Sequence, residues 1–234
     1  MGTRHGRLLS ELHRDEVAVY DIAYERECVL NEHRHDHAYV SVVAEGVYTE
    51  LRDGLPRRCS VGTAIFHTPG EVHADYFATE GRCINFEVST AGASWADALL
   101  DAVAMTHPQH LATVRQAFSS RADHDLARPA PSWLAPVLRE FEWLEPVPLG
   151  GACRLAGVHP THFVRAFRRH AGLTPGAYRK RERVRAASAL LLDSTVTLSR
   201  IAHECGFADQ SHLTNVFREA TGISPSRYRR AFAR

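Results

Sequence analysis

The last third of the chain is built from a sequence that occurs twice. The segment HFVRAFRRHAGLTPGAYR, beginning at His162, recurs fifty positions later as HLTNVFREATGISPSRYR, beginning at His212. Seven aligned pairs are identical: His162/His212, Phe167/Phe217, Arg168/Arg218, Gly172/Gly222, Pro175/Pro225, Tyr178/Tyr228 and Arg179/Arg229. Such a recurrence indicates one small structural unit that is present in two copies. Its order of helix, turn, basic helix, glycine stop and new helix favours a unit that reads a DNA groove.

The charged residues are divided unequally along the chain. Overall, 28 Lys and Arg residues nearly balance 27 Asp and Glu residues. From Leu149 to the C-terminus, however, 15 basic residues stand against 5 acidic ones, which leaves 13 basic and 22 acidic residues for the preceding part. A basic segment attracts polyanions by releasing condensed counterions, and an acidic one repels them. We therefore expect two domains with separate tasks; a basic surface that is merely solvated is the alternative.

Turn signals and hydrophobic periodicity predict an α+β fold with two domains. Between residues 38 and 88, short runs rich in Val, Ile, Phe, Tyr and Thr alternate with turn signals, which is typical of a small antiparallel β-barrel. The turn signals are Glu45-Gly46, Asp53-Gly54, Gly62-Thr63, Pro69-Gly70 and Glu80-Gly81. Apolar residues at helical spacing follow after residue 94. We assign residues 1–118 to a barrel domain with trailing helices, residues 119–132 to a linker and residues 133–234 to an all-α domain.

Features that the sequence lacks narrow the class of protein further. No N-terminal apolar segment suits a secretion signal, and no run of about twenty apolar residues suits a membrane span, so we expect a cytoplasmic protein without a membrane partner. The five cysteines are scattered and form no C-x-x-C pair, which argues against a disulfide framework and a zinc finger. We interpret them as small buried hydrophobes, with thiol-based redox sensing as the alternative.

Four histidines of the predicted barrel are candidate metal ligands. His33, His35 and His37 alternate, and alternate residues of an extended strand share a face; His73 is the fourth. Neutral imidazoles bind zinc, iron, nickel or copper, and three of them leave one coordination position for water or an effector. A divalent metal ion is therefore the one cofactor considered. The alternatives are hydrogen-bonded strand histidines or an exposed edge.

The surroundings of these histidines resemble the two sequence motifs of the cupin barrel. The resemblance rests on HRHDHAYVSVVAEG and PGEVHADY. The chain departs from metal-binding cupins in one respect, because Ser41 and Val42 stand in the stretch where those proteins place a glutamate. The resemblance implies a cupin-like effector and dimerisation domain, and it leaves an all-histidine site as the form that a metal centre would take.

Both copies of the repeat predict helix-turn-helix units. In the second copy, Thr197 and Asp209 are suited to cap two successive helices, and Gly222 to end the second of them. The side chains expected to face outwards, into a major groove, are Thr161, His162 and Arg165 in the first copy and Ser211, His212 and Asn215 in the second. Between the copies, residues 178–192 lack glycine and proline and predict one helix of about 22 Å. It can hold two reading helices at a separation comparable with one turn of DNA, about 34 Å.

Together these features resemble the DNA-binding domain of the AraC family of bacterial transcription regulators. The resemblance is carried by LAGVHPTHFVRAFRRHAGLTPGAYR in the first copy and IAHECGFADQSHLTNVFREATGISPSRYR in the second. It implies base contacts from Thr161, Val164 and Arg165 and from Gln210, Ser211, His212 and Asn215. For nonspecific phosphate contacts we expect Arg168, Arg169 and Arg218. Many members carry Arg where this chain has Asn215, which favours adenine over guanine at that position.

The sequence leads to one main hypothesis and two alternatives. The main hypothesis is a sequence-specific transcriptional regulator, an activator or a repressor, that is a homodimer through its N-terminal half. It binds operator or promoter DNA and responds to a small-molecule or metal effector in the barrel; as an activator it would also contact RNA polymerase. The alternatives are a cupin metalloenzyme, a dioxygenase or isomerase, fused to a DNA-binding domain, and a constitutive regulator whose barrel only dimerises. No catalytic residue is assigned, because the chain shows no paired carboxylates, nucleophile elbow or phosphate loop.

Overall fold

The structure, a computed structural model of the 234-residue chain, describes residues 6–14, 16–88, 95–116, 131–142, 148–193 and 195–233. The chain divides into two compact units, Met1–Asp125 and Leu126–Arg234. The first unit contains β-strands and flanking helices and the second contains helices, so the predicted α+β fold is confirmed. Most of the predicted linker, up to residue 130, lies outside the described residues, and the proposed domain boundaries stay predictions. No helix within the described ranges is long and apolar enough to cross a membrane.

The strands of the first unit form two antiparallel sheets. In chain order they are β1 (Arg7–Arg14), β2 (Val17–Tyr24), β3 (Cys28–Arg34), β4 (Ala38–Glu45), β5 (Val47–Arg52), β6 (Leu55–Ser60), β7 (Ala64–His67), β8 (Val72–Phe77) and β9 (Gly81–Val88). One sheet has the order β1-β2-β9-β4-β7 and the other β3-β8-β5-β6. Each of the five predicted turn signals falls at a junction between successive strands, as alternating strand and turn chemistry requires.

Both faces of the inner strands of the five-stranded sheet, β2, β9 and β4, are buried. One face, with Ile22 and Val43, packs against Tyr48 and Phe77 of the other sheet. The opposite face packs against the helix α1 (Trp95–Thr106), whose Leu99 is fully buried. This double burial explains why β4 reads as a nearly continuous apolar run rather than a strict alternation. A 3₁₀ turn, Pro108–His110, and a helical segment at residues 111–116 follow α1.

The described helices of the second unit repeat one plan. They are α2 (Leu134–Glu142), α3 (Leu149–Ala156), α4 (Pro160–Ala171), α5 (Pro175–Leu191), α6 (Leu198–Glu204), α7 (Gln210–Thr221) and α8 (Pro225–Phe232). We call α3 and α4 the first reading unit, α6 and α7 the second reading unit, and α4 and α7 the reading helices. The connecting helix α5 is packed against helices of both reading units. Its 17 residues make a rod of about 25 Å.

Capping groups begin the helices where the sequence predicts them. The carboxylate of Asp209 accepts the backbone N–H of His212 at 2.7 Å, and the Thr197 hydroxyl accepts that of Arg200 at 3.3 Å. Each such cap satisfies a helix N–H that has no partner within the helix and contributes about 1 kcal/mol. Gly222 ends α7 in the left-handed conformation, with φ of 88°. The boundaries of the second reading unit are thus set by local sequence.

Candidate nucleic-acid interface and histidine cluster

The two reading helices bury and expose equivalent positions. Residues 161–170 and 211–220 show the same order of exposed, half-buried and buried side chains. On the inner side, Phe163 and Phe167 match Leu213 and Phe217, and all four are fully buried. The expected reading residues that are exposed are Thr161, His162 and Arg165 on α4 and Gln210, Ser211, His212 and Asn215 on α7. The duplicated sequence therefore produces two similar surfaces.

An aromatic contact supports each reading helix from behind. Tyr178 meets Phe167 edge to face, with ring centroids 5.5 Å apart and an interplanar angle of 83°. Tyr228 meets Phe217 in the same way, at 5.3 Å and 73°. Edge-to-face pairs of this kind add about 0.5–1.5 kcal/mol to the burial of the rings. Two of the identical positions of the repeat, Phe and Tyr, are thereby explained by packing.

Three exposed arginines dominate the first reading helix. Arg165, Arg168 and Arg169 line a concave surface together with Thr161 and Thr174. In the part of the chain that the structure describes, none of the three arginines forms an ion pair. Their guanidinium groups are therefore available to an external anion, and a guanidinium suits phosphate oxygens and guanine edges equally well.

Val164 is less accessible than the resemblance implies. It is half-buried and packs against the core of the first reading unit, so only part of its side chain borders the concave surface. The residue at the equivalent position of α7 is Thr214, whose hydroxyl donates a hydrogen bond to the carbonyl of Gln210 at 2.8 Å. Both positions lie at the margin of the exposed strip. The contact expected from Val164 stays a prediction and would be limited to a methyl group.

Local hydrogen bonds orient the polar groups of the second reading helix. The Ser199 hydroxyl donates to Oε1 of Gln210 at 3.0 Å. Nδ1 of His212 accepts the backbone N–H of Ala208 at 3.2 Å, and its ring meets Phe207 edge to face. Because Nδ1 acts as the acceptor, the neutral ring carries its proton on Nε2. The exposed face of α7 thus presents amide, hydroxyl and imidazole donors in fixed positions.

Two basic residues of the repeat have structural partners. Arg229 donates to the carbonyl of Leu191 at 3.2 Å and to the carbonyl of Val196, which ties α8 to the segment between α5 and α6. Its counterpart Arg179 lies over the ring of Phe141, with its guanidinium carbon 5.5 Å from the ring centroid. Sequence identity at this position therefore reflects packing of the domain and gives no evidence of a DNA contact.

Three of the candidate metal ligands come together in the barrel. His33 on β3 lies directly opposite His73 on β8, and His35 follows the end of β3. One ring nitrogen from each of His33, His35 and His73 lies within 4.8 Å of the others. Burial lowers the pKa of His73 to about 3, with a further lowering by His33 and His35, so its ring is neutral over the ordinary pH range. Neutral imidazole is the form that binds metal ions.

His37 does not belong to this cluster. The sequence prediction that it shares a strand face with His33 and His35 is wrong, because β3 ends at Arg34 and the alternation of an extended strand stops there. The side chain of His37 is exposed, on a bend between β3 and β4. Only His33 of the three lies within a strand, and His35 joins the cluster through the geometry of the loop.

Sequence reasoning missed two neighbours of the cluster, His67 and Tyr39. The His67 ring centroid lies 4.2 Å from that of His73. Tyr39 stacks on His67 at 4.3 Å, and its hydroxyl lies 3.0 Å from Nε2 of His73. His67 also contacts two carboxylates, Glu50 at 3.3 Å and Glu71 at 3.1 Å. No local pattern in AIFH, the sequence of β7, marks His67 as inward-facing, and its burial is seen only in the structure.

Two buried carboxylates lie next to the histidines. Glu50 on β5 and Asp75 on β8 are directly opposite each other, and Asp75 lies 3.8 Å from Nε2 of His73. Burial raises the pKa of the Glu50 carboxyl, and burial and the Glu50 charge raise that of Asp75 well above its usual range. Ser41 is also buried, while Val42 packs in the hydrophobic core on the helix-covered face. Three imidazoles without a bound carboxylate are a set of donors that fits zinc, nickel or copper.

The chain is similar to known DNA-binding proteins over its second unit. Residues 152–231 match a family model described as a helix-turn-helix domain. The chain is 38% identical over 85 residues to the HTH-type transcriptional regulator Rv1931c of Mycobacterium tuberculosis, covering 36% of this chain and 33% of that protein. It is 42% identical over 65 residues to the HTH-type transcriptional activator RhaS of Escherichia fergusonii, covering 28% of this chain and 23% of that protein. The matched region thus spans a third or less of the length of these curated relatives.

Solved structures are similar to each part of the chain. The DNA-binding domain of AdpA in complex with a target DNA is 28% identical, covers 45% of this chain and 94% of its own and has a TM-score of 0.40. KdgF from Halomonas sp. is 19% identical, covers 36% of this chain and 76% of its own and has a TM-score of 0.33.

Proposed function

We infer that this chain, in which residues 152–231 form a helix-turn-helix domain of the AraC type, is a sequence-specific DNA-binding transcriptional regulator. The observation that carries the proposal is the pair of reading helices, which expose polar and basic side chains at equivalent positions and bury the others. An α-helix fits the major groove, and such a strip is what direct contact with base edges requires. The 38–42% identity to curated transcriptional regulators over this domain supports the same conclusion.

The reading helices would divide the base contacts according to their chemistry. On α4, Arg165 is suited to the two acceptors of guanine and Thr161 to a hydroxyl contact. On α7, Gln210 and Asn215 carry amide groups, which pair well with adenine, and His212 offers its Nε2 proton. Arg168, Arg169 and Arg218 would contact phosphates. Because α5 packs against both reading units, it would hold the two helices at a fixed separation.

The first unit of the chain is proposed to sense an effector. Any molecule that binds two states of the protein with different affinity shifts the balance between them, and the same free energy then appears in DNA binding. A divalent metal ion is one candidate, held by His33, His35 and His73, whose ring nitrogens converge within 4.8 Å. It would supply a positive charge and an open coordination position. A homodimer formed through this unit, and a contact with RNA polymerase if the protein activates, complete the proposal.

A catalytic barrel is the second candidate function. It is favoured by a specific observation, the buried carboxylates Glu50 and Asp75 beside a cluster of imidazoles. The sensing role is the better supported of the two, because the curated relatives that match the chain are transcriptional regulators. Turnover of a candidate substrate by the purified full-length chain would favour the enzyme.

Selection of bound sequences from a pool of random DNA duplexes tests the proposed function. The full-length protein should enrich a defined motif, and a variant with Arg165→Ala and Asn215→Ala should not enrich the same motif. Repeating the selection with a chelator present tests the metal, because a metal effector should change the affinity for the selected site. Equal binding of selected and random duplexes by the native protein would contradict sequence-specific recognition.

A further inference from the structure

The two reading helices are similar in shape but unequal in charge. The helix α4 contains Arg165, Arg168 and Arg169 and no acidic residue. The helix α7 contains one arginine, Arg218, and one acidic residue, Glu219. In the alignment of the repeat, Asn215 replaces Arg165 and Glu219 replaces Arg169. Since the two helices expose equivalent positions, the difference lies on the surfaces that face a DNA duplex.

The acidic residue of α7 also engages a basic side chain from outside the helix. Oε2 of Glu219 lies 2.7 Å from Nζ of Lys180, which belongs to the connecting helix α5. The pair is largely exposed, so it contributes little to stability. It lowers the positive charge available to DNA, because Lys180 is engaged by a carboxylate and the carboxylate itself repels phosphates. The carboxylate of the second reading unit thus offsets the charge of Lys180, the neighbouring cation on α5.

The first reading unit has the opposite character. The three arginines of α4 line one shallow, open concave surface and form no ion pair with any described residue. A DNA duplex carries one negative charge per about 1.7 Å of its axis, and binding to it weakens as salt is added. We call the magnitude of the slope of log K against log salt concentration the salt slope, and each phosphate that is neutralised adds about 0.9 to it. Three guanidinium groups without an ion pair on one open surface are therefore a local site for backbone phosphates.

We propose that the first reading unit supplies most of the salt-dependent affinity for the DNA backbone, whereas the second reading unit contributes mainly through neutral hydrogen bonds to bases. The ligand of the concave surface is a backbone phosphate of duplex DNA. The inference rests on the proposed function. In this arrangement the protein binds any duplex through α4 first, and α7 then adds contacts that depend on sequence but only weakly on salt.

The repeat provides matched variants for the test, Arg169→Glu and Glu219→Arg, which exchange the charges at equivalent exposed positions. The affinity of full-length protein for the selected site and for a random duplex is measured over a range of salt concentrations. Arg169→Glu should lower the salt slope by about one or more on both duplexes. Glu219→Arg should raise the slope by about one or more, because it adds a cation and releases Lys180. Unchanged thermal unfolding shows that both variants fold.

A second pair of double variants compares α4 with α7 and its neighbouring cation Lys180. Arg168→Ala with Arg169→Ala should lower the salt slope by about two, whereas Lys180→Ala with Arg218→Ala should lower it by less than one. Equal losses from the two double variants would overturn the inference while leaving DNA binding intact. Absence of salt-dependent DNA binding by the native protein would instead contradict the proposed function itself, so the two failures are distinguishable.

Discussion

The hydroxyl of Tyr39 lies 3.0 Å from Nε2 of His73, with the Tyr39 ring stacked on His67. This places a phenol beside His73, at the same ring nitrogen from which the Asp75 carboxyl lies 3.8 Å. Burial raises the pKa of Tyr39 well above its ordinary value, so the phenol keeps its proton. Because its three ligands would be neutral imidazoles, a metal held by His33, His35 and His73 would keep its full charge, which favours an anionic or polarisable fourth ligand.

Removal of the clustered histidines should abolish metal binding. His33→Ala, His35→Ala and His73→Ala are each expected to lower the metal content of protein reconstituted with zinc or nickel from about one ion per chain to background, because three nitrogens are the minimum set. His37→Ala is the matched control, since His37 is exposed and outside the cluster. Elemental analysis checks the prediction. Equal metal content in all four variants would show that the ion binds elsewhere.

Arg165→Ala should weaken binding to the selected site and relax its sequence requirement. A bidentate arginine contact with guanine discriminates by about 1–3 kcal/mol, and that discrimination disappears with the guanidinium group. Competition between the selected site and single-base variants measures it. Arg168→Ala, one helical turn further along α4, is the control and should weaken all duplexes alike. A uniform loss for Arg165→Ala would assign that residue to the backbone instead.

Arg229→Ala should reduce stability without changing the salt dependence of DNA binding. The guanidinium group joins α8 to the carbonyls of Leu191 and Val196, and hydrogen bonds to a charged donor contribute about 1.5–3 kcal/mol. Arg230 is exposed and its replacement by alanine is the control. Denaturant unfolding, together with the salt slope of binding, checks both parts. A lowered slope would show that Arg229 contacts phosphate.

Gly46→Ala should destabilise the barrel more than Gly54→Ala. Both glycines have positive φ, 78° and 71°, which costs an alanine about 1–2 kcal/mol. At Gly46 an added Cβ would also lie 2.3 Å from the carbonyl oxygen of Glu80, whereas nothing lies within 4 Å at Gly54. The backbone clash adds about 1–3 kcal/mol at Gly46. Thermal unfolding of the two variants measures the difference in stability. An equal loss of stability would contradict the close approach of the Glu80 carbonyl oxygen to Gly46.

Glu50→Gln should stabilise the protein at high pH and have little effect at low pH. Burial raises the pKa of Glu50, so folding favours its protonated form. The native protein therefore loses stability as pH rises from the ordinary carboxyl range through the raised pKa, and a neutral glutamine does not. Thermal unfolding of native and variant protein at pH 4 and at pH 8 measures the difference. Destabilisation by glutamine at pH 8 would mean that a charged Glu50 is needed by His67.

The helical domain could be predicted from the sequence in detail because its boundaries are set locally. Asp209, Thr197 and Gly222 act within their own turn of chain, so a cap or a stop is visible in four residues. Because the unit occurs twice, the order of helices and glycine stops could be read from two copies. What the sequence did not reveal is the Lys180 to Glu219 contact, because an exposed ion pair between two helices leaves no trace in periodicity.

The histidine cluster was predictable only in part. The opposition of His33 and His73 depends on the pairing of β3 with β8, which are separated by four other strands in the chain, and pairing between distant strands is not encoded in local pattern. β3 ends at Arg34, before both His35 and His37, so the geometry of the following loop decides which of them joins the cluster, and nothing in the alternation H-R-H-D-H marks it. His67 was overlooked because one histidine in a short strand has no distinguishing neighbours.

The equal burial pattern of the two reading helices has a consequence for how such a protein changes over time. Positions 161 and 165 and their counterparts 211 and 215 are exposed, so their side chains carry little of the folding free energy, whereas His212 also accepts the Ala208 backbone N–H. Mutation there can alter the preferred operator without lowering the amount of folded protein. The base preference of the domain can therefore change when the operator sequence changes, or be altered with a small library of surface variants, while the aromatic interior is unchanged.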